Sequence, residues 1–475
     1  MHSPNWPTRP SLALPAIAAG AALVAYANSL GGVFQFDDFN VIVDSDRVHS
    51  WPSWLHATLS GGLRPLLNLS YTFDWILGGG EPLAFHFFNL SVHLATVFVI
   101  YRLAGHFVQR CLPDGDWRPP ALWTALLFAV HPVHTEAITY ISGRSASLMT
   151  LLYLAAMLLY VKADGGRHAR RLASCALFAA ALAVKETAIL FPLALLIWEW
   201  TLKTPWREIA RRQWLFWFLW LSATVLLTAH PATWTLLSNS IELRQLHASL
   251  PTQIAGATGL LSRLAWPAAL NIDPDWPIRL GLDEVVPQAS LWIAALAGAL
   301  MLRPSRPWVG LAVFWVFAHL LVPNALFPRV DVANERQLYL VDWPLLLAFV
   351  IELTRHLRRT LAFAMLSVIC LLLAFITIDR NSEYVSQIAL WEDTASHSPG
   401  KARVFNNLGY AYQLAGRLAE AEAAYRKSLE LDPGSIKAAN NLQRLQALPP
   451  TACDRWCVTP ASPAPPPALP AGRPQ

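Results

Sequence analysis

Charge is what this sequence has least of. Asp, Glu, Lys and Arg make up 14% of its 475 residues, against about 25% in an average soluble protein. Cysteine is scarce as well: five residues are too few for a disulfide framework to organise a chain of this length. With 55% hydrophobic residues and 21 Trp, the shortage of charge excludes a disordered chain and a soluble globular one, which could not hide so much apolar surface from water. The net charge of +5 does not mark a nucleic-acid binder, because the basic residues fall in short clusters between apolar runs rather than along one stripe. Lipid is the remaining solvent, and the chain reads as an all-α polytopic membrane protein.

Eleven apolar runs are candidates to cross the bilayer: 12–30, 83–107, 120–134, 148–161, 172–184, 188–200, 214–230, 289–302, 308–326, 338–353 and 361–378. The stretch 250–270 is a candidate twelfth, interfacial or re-entrant. With the N-terminus in the cytoplasm, the N-terminal tail and the even-numbered connections carry 17 Lys+Arg against 6 Asp+Glu, and the other side, up to residue 378, carries 9 against 16. The positive-inside rule favours that orientation, and an odd span count puts the C-terminus outside. Ala25-Tyr26-Ala27 resembles a signal-peptide cleavage site, but Arg9 alone makes a weak basic leader, so the first run reads as a retained anchor.

Beyond residue 380 the composition changes. Asn406-Asn407-Leu408 recurs as Asn440-Asn441-Leu442, and Pro399 recurs as Pro433, both 34 residues on. That period is the tetratricopeptide signature. The domain plan is therefore a membrane domain over 1–379, a tetratricopeptide segment over 380–447 with one complete repeat at about 402–435, and a Pro/Ala-rich tail over 448–475 that reads as disordered. Cys453 and Cys457 in the tail pair if that side is oxidising, or are incidental thiols. Cys111, Cys175 and Cys370 read as small apolar residues.

Polar groups at membrane depth are costly, so their positions carry information. They gather at the outer span ends. The first outer loop, 31–82, opens with Phe36-Asp37-Asp38-Phe39 and carries Arg64-Pro65 and Asp74. Two adjacent carboxylates between aromatics fit a general base or a metal site, or equally a solvated turn with a helix N-cap. His86, Asn89 and His93 share one helix face, where interhelical hydrogen bonding competes with ligand binding. His131-Pro132-Val133-His134-Thr135-Glu136 precedes Ser142-Gly143-Arg144. The proline breaks the regular spacing that a helical zinc site uses. Lys185-Glu186, between two apolar runs, read as an ion pair at a tight hairpin. Arg329, Asp331, Glu335, Arg336 and Tyr339 precede the tenth run. Few cations, each beside carboxylates at a span end, suit a site that holds a lipid-linked phosphate while a carboxylate takes a proton from an acceptor hydroxyl.

An acidic pair after the first span, Arg64-Pro65, the 131–144 motif, Lys185-Glu186, Glu335-Arg336 with Leu338-Tyr339-Leu340, and a trailing repeat together resemble the transmembrane and tetratricopeptide-repeat-containing (TMTC-like) family of GT-C superfamily glycosyltransferases, over roughly residues 10–447. The resemblance implies a GT-C-like helical bundle of about 11 spans. It implies inverting transfer of a monosaccharide from a polyprenyl-phosphate donor to a hydroxyl of a protein or glycan acceptor. Asp37 or Asp38 matches the acidic motif and would be the base. Arg64, Arg144, Lys185 and Arg336 would contact phosphate or sugar. His86, His131, His134, Glu136, Glu186, Glu335 and Tyr339 complete the substrate-binding set. No cofactor is required on this view, with Mg²⁺ or Mn²⁺ at the Asp pair as the open alternative. One repeat instead of a long array resembles a bacterial relative, in the inner membrane with the active face periplasmic. A flippase of lipid-linked sugars would show internal repeats and charges near span centres, neither of which is present. A non-catalytic repeat scaffold and a hydrolase of a lipid-linked substrate are further alternatives. Reporter fusions after residues 202 and 304 are expected to give cytoplasmic signals, and one after residue 380 a signal from the opposite side.

Overall fold

The computed structural model describes residues 13–163, 168–229, 234–235, 238, 246–326 and 331–447. Arg9, Arg329, Cys453 and Cys457 lie outside the described residues. No strand occurs among the described residues. The chain divides into two compact units, with the boundary between Ser398 and Pro399.

The first unit is built from α1 (Ala13–Tyr26), α2 (Trp51–Leu59), α3 (Pro65–Gly78), α4 (Pro82–Cys111), α5 (Arg118–Ala129), α6 (Arg144–Val161), α7 (His168–Val184), α8 (Phe191–Thr201), α9 (Trp206–Ala229), α10 (Leu246–Ala265), α11 (Val286–Leu302), α12 (Pro307–Val316), α13 (Trp343–His356), α14 (Arg359–Ser382) and α15 (Gln387–His397). Proline in the first turn opens α2, α3, α4, α5, α8, α11, α12 and α13. Its fixed φ suits that position, and the missing N–H would have no intrahelical partner there. Ala18, Ala22 and Ala25 form one fully buried face of α1. Small residues at this spacing let helices approach closely, and α1 packs on α4, α5 and α14. Large apolar side chains on α11 (Leu291, Ile293, Met301) and α14 (Val368, Leu371, Phe375) are exposed, as expected of helices that face lipid.

Among the described residues, six stretches are long and apolar enough to span a membrane: Ala13–Gly31, Pro82–Cys111, Ile141–Val161, Leu282–Leu302, Pro307–Ala325 and Arg359–Val385. Glu335–Val341 and Trp343–His356, bent by 61°, make a seventh if they act together. The other expected spans form helices that are short or more polar. Run 120–134 yields α5, 12 residues ended by His131-Pro132. Runs 172–184 and 188–200 yield helices of 17 and 11 residues. Run 214–230 lies in α9, whose first half carries Arg207, Glu208, Arg211 and Arg212. Length and composition alone thus support six or seven of the eleven.

Between α5 and α6 the backbone breaks into short turns, because Pro132 has no N–H to continue the ladder. The five consecutive carbonyls of residues 128–132 each accept a side-chain hydrogen bond, and those of Phe128, His131 and Pro132 accept a backbone N–H as well. His134 Nδ1 bonds Phe128 O at 3.0 Å, His93 Nε2 bonds Ala129 O at 3.0 Å, and Thr377 Oγ1 donates to Val130 O at 2.7 Å. Tyr26 Oη donates to His131 O at 3.1 Å, and Thr135 Oγ1 to Pro132 O at 2.9 Å. The donors come from α1, α4, α14 and the break itself. Irregular backbone at membrane depth is tolerated only where protein surrounds it in this way. Gly143 closes the segment: a Cβ there would lie 1.9 Å from the Glu136 carbonyl oxygen.

α6 rises about 27 Å over its 18 residues, close to the thickness of a bilayer core of about 30 Å. At its far end Tyr160 Oη donates to Glu199, which also pairs with Arg212 at 3.2 Å. Arg303 donates to Trp200 O, and Arg306 pairs with Glu352.

The expected tetratricopeptide segment began at residue 380, but residues 380–398 belong to the first unit. They are held there by polar bonds that composition does not display. Val33 N and Gln35 Nε2 donate to Tyr384 O, and Trp391 meets the Phe36 ring edge-on at 5.3 Å. Asn381 accepts from Thr139 and donates to Ala25 O and Asn28.

The second unit contains α16 (Ala402–Leu414), α17 (Leu418–Leu431) and α18 (Ile436–Gln446). Gly409 admits the Tyr425 ring, which a Cβ would meet at 2.7 Å. Ala421 and Tyr425 are fully buried between the helices. Asn441 donates to Asn406 at 3.0 Å, joining the two copies of the repeated asparagine motif.

Thr377→Val is expected to leave Val130 O unpartnered and cost about 1 kcal/mol. Ser367→Ala, which removes an exposed bond within its own helix, should cost close to nothing. Unfolding of both variants in detergent, compared with wild type, checks the difference.

Candidate functional site

The segment after the first span turns sharply at residues 35–38. Phe36 has φ +43°, a genuine outlier for a bulky residue and a form of strain that clusters at working sites. Its ring is held by Trp391. Asp38 closes the turn: its Oδ2 accepts from Gln35 N at 2.9 Å, and Asp38 N donates to Gln35 O at 2.8 Å. Its Oδ1 accepts from Ser142 N at 2.8 Å and from the Ser142 hydroxyl. Asp38 is fully buried. Burial pushes its carboxyl up to about 7, and the donors from Ser142 and Gln35 restrain the rise.

Asp37 is only partly buried. Its N–H donates to Tyr140 Oη at 3.0 Å. Tyr140 lies 6.0 Å under the Arg336 guanidinium, and Arg336 is within electrostatic reach of Asp37. Arg336 N donates to Glu136 Oε2 at 2.9 Å, and Arg336 Nε stands 3.5 Å from Glu136 Oε1. Burial raises the Glu136 carboxyl, and Arg336 opposes that rise. Glu335, the next residue, turns the other way. It is buried and accepts from Asn271 N at 2.9 Å and Arg263 Nη1 at 3.2 Å. Arg263 in turn stacks on Trp276 at 4.5 Å. Segments 36–38, 136–142 and 335–336 thus converge on one place. Of the expected site residues, Asp37, Asp38, Glu136, Glu335 and Arg336 meet there.

A second group lies nearby, with Tyr71 within reach of both Asp38 and Arg64. Arg64, at φ +56° before α3, grips Glu186 with two bonds, Nε to Oε2 at 3.0 Å and Nη2 to Oε1 at 2.8 Å. Burial works to raise the Glu186 carboxyl, but Arg64, Lys185 and a backbone N–H together hold the group down at about 2. The expected Lys185–Glu186 pair is therefore corrected: the oxygens of Glu186 go to Arg64. Neighbouring residues of an extended segment point apart, and the buried Lys185 acts on Glu186 and Glu136 at longer range.

The remaining expected site residues serve the interior. Arg144 is fully buried. It donates to Asn89 Oδ1 at 2.6 Å, to Ser70 O and Oγ at 3.1 and 3.2 Å and to Phe85 O at 3.0 Å, pairs with Asp74 at 2.5 Å, and lies over Tyr71, Phe85 and Phe88. With its donors so engaged, the expected phosphate contact is corrected to a structural clamp. His86 is buried against Gly32. His131 bonds Leu264 O, and Tyr339 bonds His93 Nδ1 at 2.8 Å. His134 Nε2 meets Asp342 Oδ2 at 2.9 Å while its Nδ1 faces the Phe128 carbonyl. A carbonyl can only accept, so Nδ1 carries a proton, and the Nε2–Asp342 contact holds another between its two groups. Asp342, Arg263, Tyr140, Arg380 and Asp393 escaped the sequence reading, because no spacing marks them.

No group of three or more His, Cys, Asp or Glu side chains arranged to hold a metal occurs among the described residues. Both Asp38 oxygens accept from protein donors.

Fold and site define an all-α polytopic membrane protein with a polar cluster at one end of its bundle and a separate helical-repeat unit. The family model of the tetratricopeptide repeat matches residues 402–435. The chain is similar to "Protein O-mannosyl-transferase Tmtc3" of Drosophila melanogaster, 23% identical over 89% of this chain and 56% of the relative. It is similar to "Protein O-mannosyl-transferase TMTC1" of Homo sapiens, 26% identical over 90% of this chain and 56% of the relative. A shorter stretch, 30% of this chain and 16% of the relative, is 36% identical to TMTC1 of Mus musculus. The TMTC-like resemblance thus runs along about nine tenths of the chain, which spans a little over half the length of the first two relatives. No solved structure matches.

Ser142→Ala removes one of the donors to Asp38, a bond to a charged group worth about 1.5–3 kcal/mol. The Asp38 carboxyl should then titrate above its present value of about 7. The pH dependence of the protonated-carboxyl infrared band, assigned by its loss in Asp38→Asn, measures the shift.

Proposed function

We propose that this protein is a membrane-embedded inverting glycosyltransferase. It moves a monosaccharide from a polyprenyl-phosphate donor to a hydroxyl of a protein or glycan acceptor. The observation that carries the reading is the convergence of a partly buried carboxylate, Asp37, with Arg336 at the polar end of the bundle. The similarity to proteins named as protein O-mannosyl-transferases supports it. In the step, the acceptor oxygen attacks the anomeric carbon as Asp37 takes its proton. The bond to the phosphate oxygen breaks from the opposite face, and its electron pair stays on the phosphate, where Arg336 stabilises the charge. Asp38 and Tyr140 position Asp37 by fixing the turn, and Glu136 positions Arg336. No step is routed through a metal. The tetratricopeptide unit is a surface for a protein acceptor. The site faces the periplasm of a bacterial inner membrane, with the N-terminus cytoplasmic.

Single-turnover transfer from a panel of polyprenyl-phosphate sugars, with membrane extract as acceptor, tests this. Asp37→Asn should slow transfer by about 10²–10⁴-fold, the range of general-base catalysis. Transfer that survives the substitution unchanged would discard Asp37 as the base. In wild type the rate should fall as pH drops below about 7, because protonated Asp38 can no longer accept all of its donors. Asp38→Asn should be slow without that limb.

A further inference from the structure

Arg380, near the end of α14, is 7% exposed. Its Nη1 donates to Asp393 Oδ2 at 2.5 Å, and the guanidinium lies 5.7 Å over the Tyr384 ring. Its Nε and Nη2 are buried with no hydrogen-bond partner. These two nitrogens form one edge of the guanidinium, the fork that matches two oxygens of a carboxylate or phosphate. On Arg64 that edge is filled by Glu186, and on Arg303 by the Trp200 carbonyl at 3.0 and 2.7 Å. A buried charged donor left unmet costs more than the 1–3 kcal/mol or so of a neutral one, so a fork held empty at this depth points to a partner that comes and goes. Its surroundings are those of the candidate site. Glu335 and Asp393 act on Arg380, Arg263 feels it, and Glu136, beside Arg336, has an oxygen that accepts no hydrogen bond.

We propose that the Nε–Nη2 edge of Arg380 is the seat of a phosphate oxyanion. That the phosphate is carried on a polyprenyl chain rests on the glycosyltransferase reading; the seat itself does not. The guanidiniums of Arg263, Arg336 and Arg380 stand among the carboxylates of Glu136, Glu335 and Asp393, with Asp37, Asp331 and Glu383 also in reach. Affinity therefore comes from two aligned hydrogen bonds rather than from a positive field, and binding should depend only weakly on ionic strength.

The test uses the full chain in detergent, with inorganic phosphate and sugar-free polyprenyl monophosphate titrated separately by calorimetry. Arg380→Lys keeps the charge opposite Asp393 and removes the fork. It should raise Kd for both probes at least tenfold, while Arg303→Lys, at the other end of α6, changes neither by more than about twofold. If the lipid-linked form is the ligand, it binds at least tenfold tighter than inorganic phosphate. Tighter binding of the inorganic ion would make free phosphate the ligand of the seat. Unchanged Kd in a folded Arg380→Lys protein, or no binding by wild type, overturns the seat. Should Arg380→Lys unfold, density maps of wild type with and without phosphate decide: a tetrahedral ligand on Nε and Nη2 supports the seat, and a water there in both overturns it. Phosphate bound at the fork with no sugar transfer by wild type would remove the enzymatic reading and keep the seat. Transfer with an unchanged Kd in Arg380→Lys would do the reverse.

Discussion

The break between α5 and α6 sets the terms for the rest of the structure. Where Pro132 stops the helical ladder, five successive carbonyls each take a side-chain donor, in a segment that protein must surround. The donors are Tyr26, His93, His134, Thr135 and Thr377, from both ends of the chain and its middle. Meeting that demand fixes α1, α4 and α14 around one irregular segment. The same segment then delivers Glu136, Tyr140 and Ser142 to the end of the bundle. The polar cluster is therefore not laid on a finished scaffold, since the bonds that make the fold possible also place its side chains.

Adjacent carboxylates at this cluster have divided their duties. Asp38 is spent on structure, with both oxygens accepting and its side chain sealed from solvent. Asp37, one residue away, lies on the accessible side of the same turn, next to Tyr140 and Arg336. A similar division separates the neighbours Glu335 and Arg336, one turned toward Arg263 and Asn271 and the other toward Glu136. Strain at Phe36 is the local cost of presenting the pair this way.

Much of the architecture was legible in the residues. Sparse charge and long apolar runs gave an all-helical membrane protein, and the 34-residue period located the repeat that matches 402–435. The acidic pair, Glu136 and the Glu335-Arg336 step were singled out because each is a polar group at an apolar boundary. What remained hidden depended on contacts between distant segments. Arg144 looked like a ligand contact until Asp74, Asn89 and Ser70 were seen around it. Residues 380–398 looked like part of the repeat because their ties to residues 25–36 and 139 are single polar bonds with no periodic signal. Arg380 carries its meaning in which of its nitrogens is engaged, and no spacing rule encodes that.

The ties of Asn381, Thr377 and Tyr384 to the first span and to the break have a consequence for biogenesis. Helices inserted early leave the translocon with the Val130 carbonyl uncapped and the acidic turn unsupported, because their partners lie some 240–350 residues downstream. The cluster closes only when the last span is in place. A chain that ends before Thr377 and Tyr384 therefore lacks the partners that complete the break and the acidic turn.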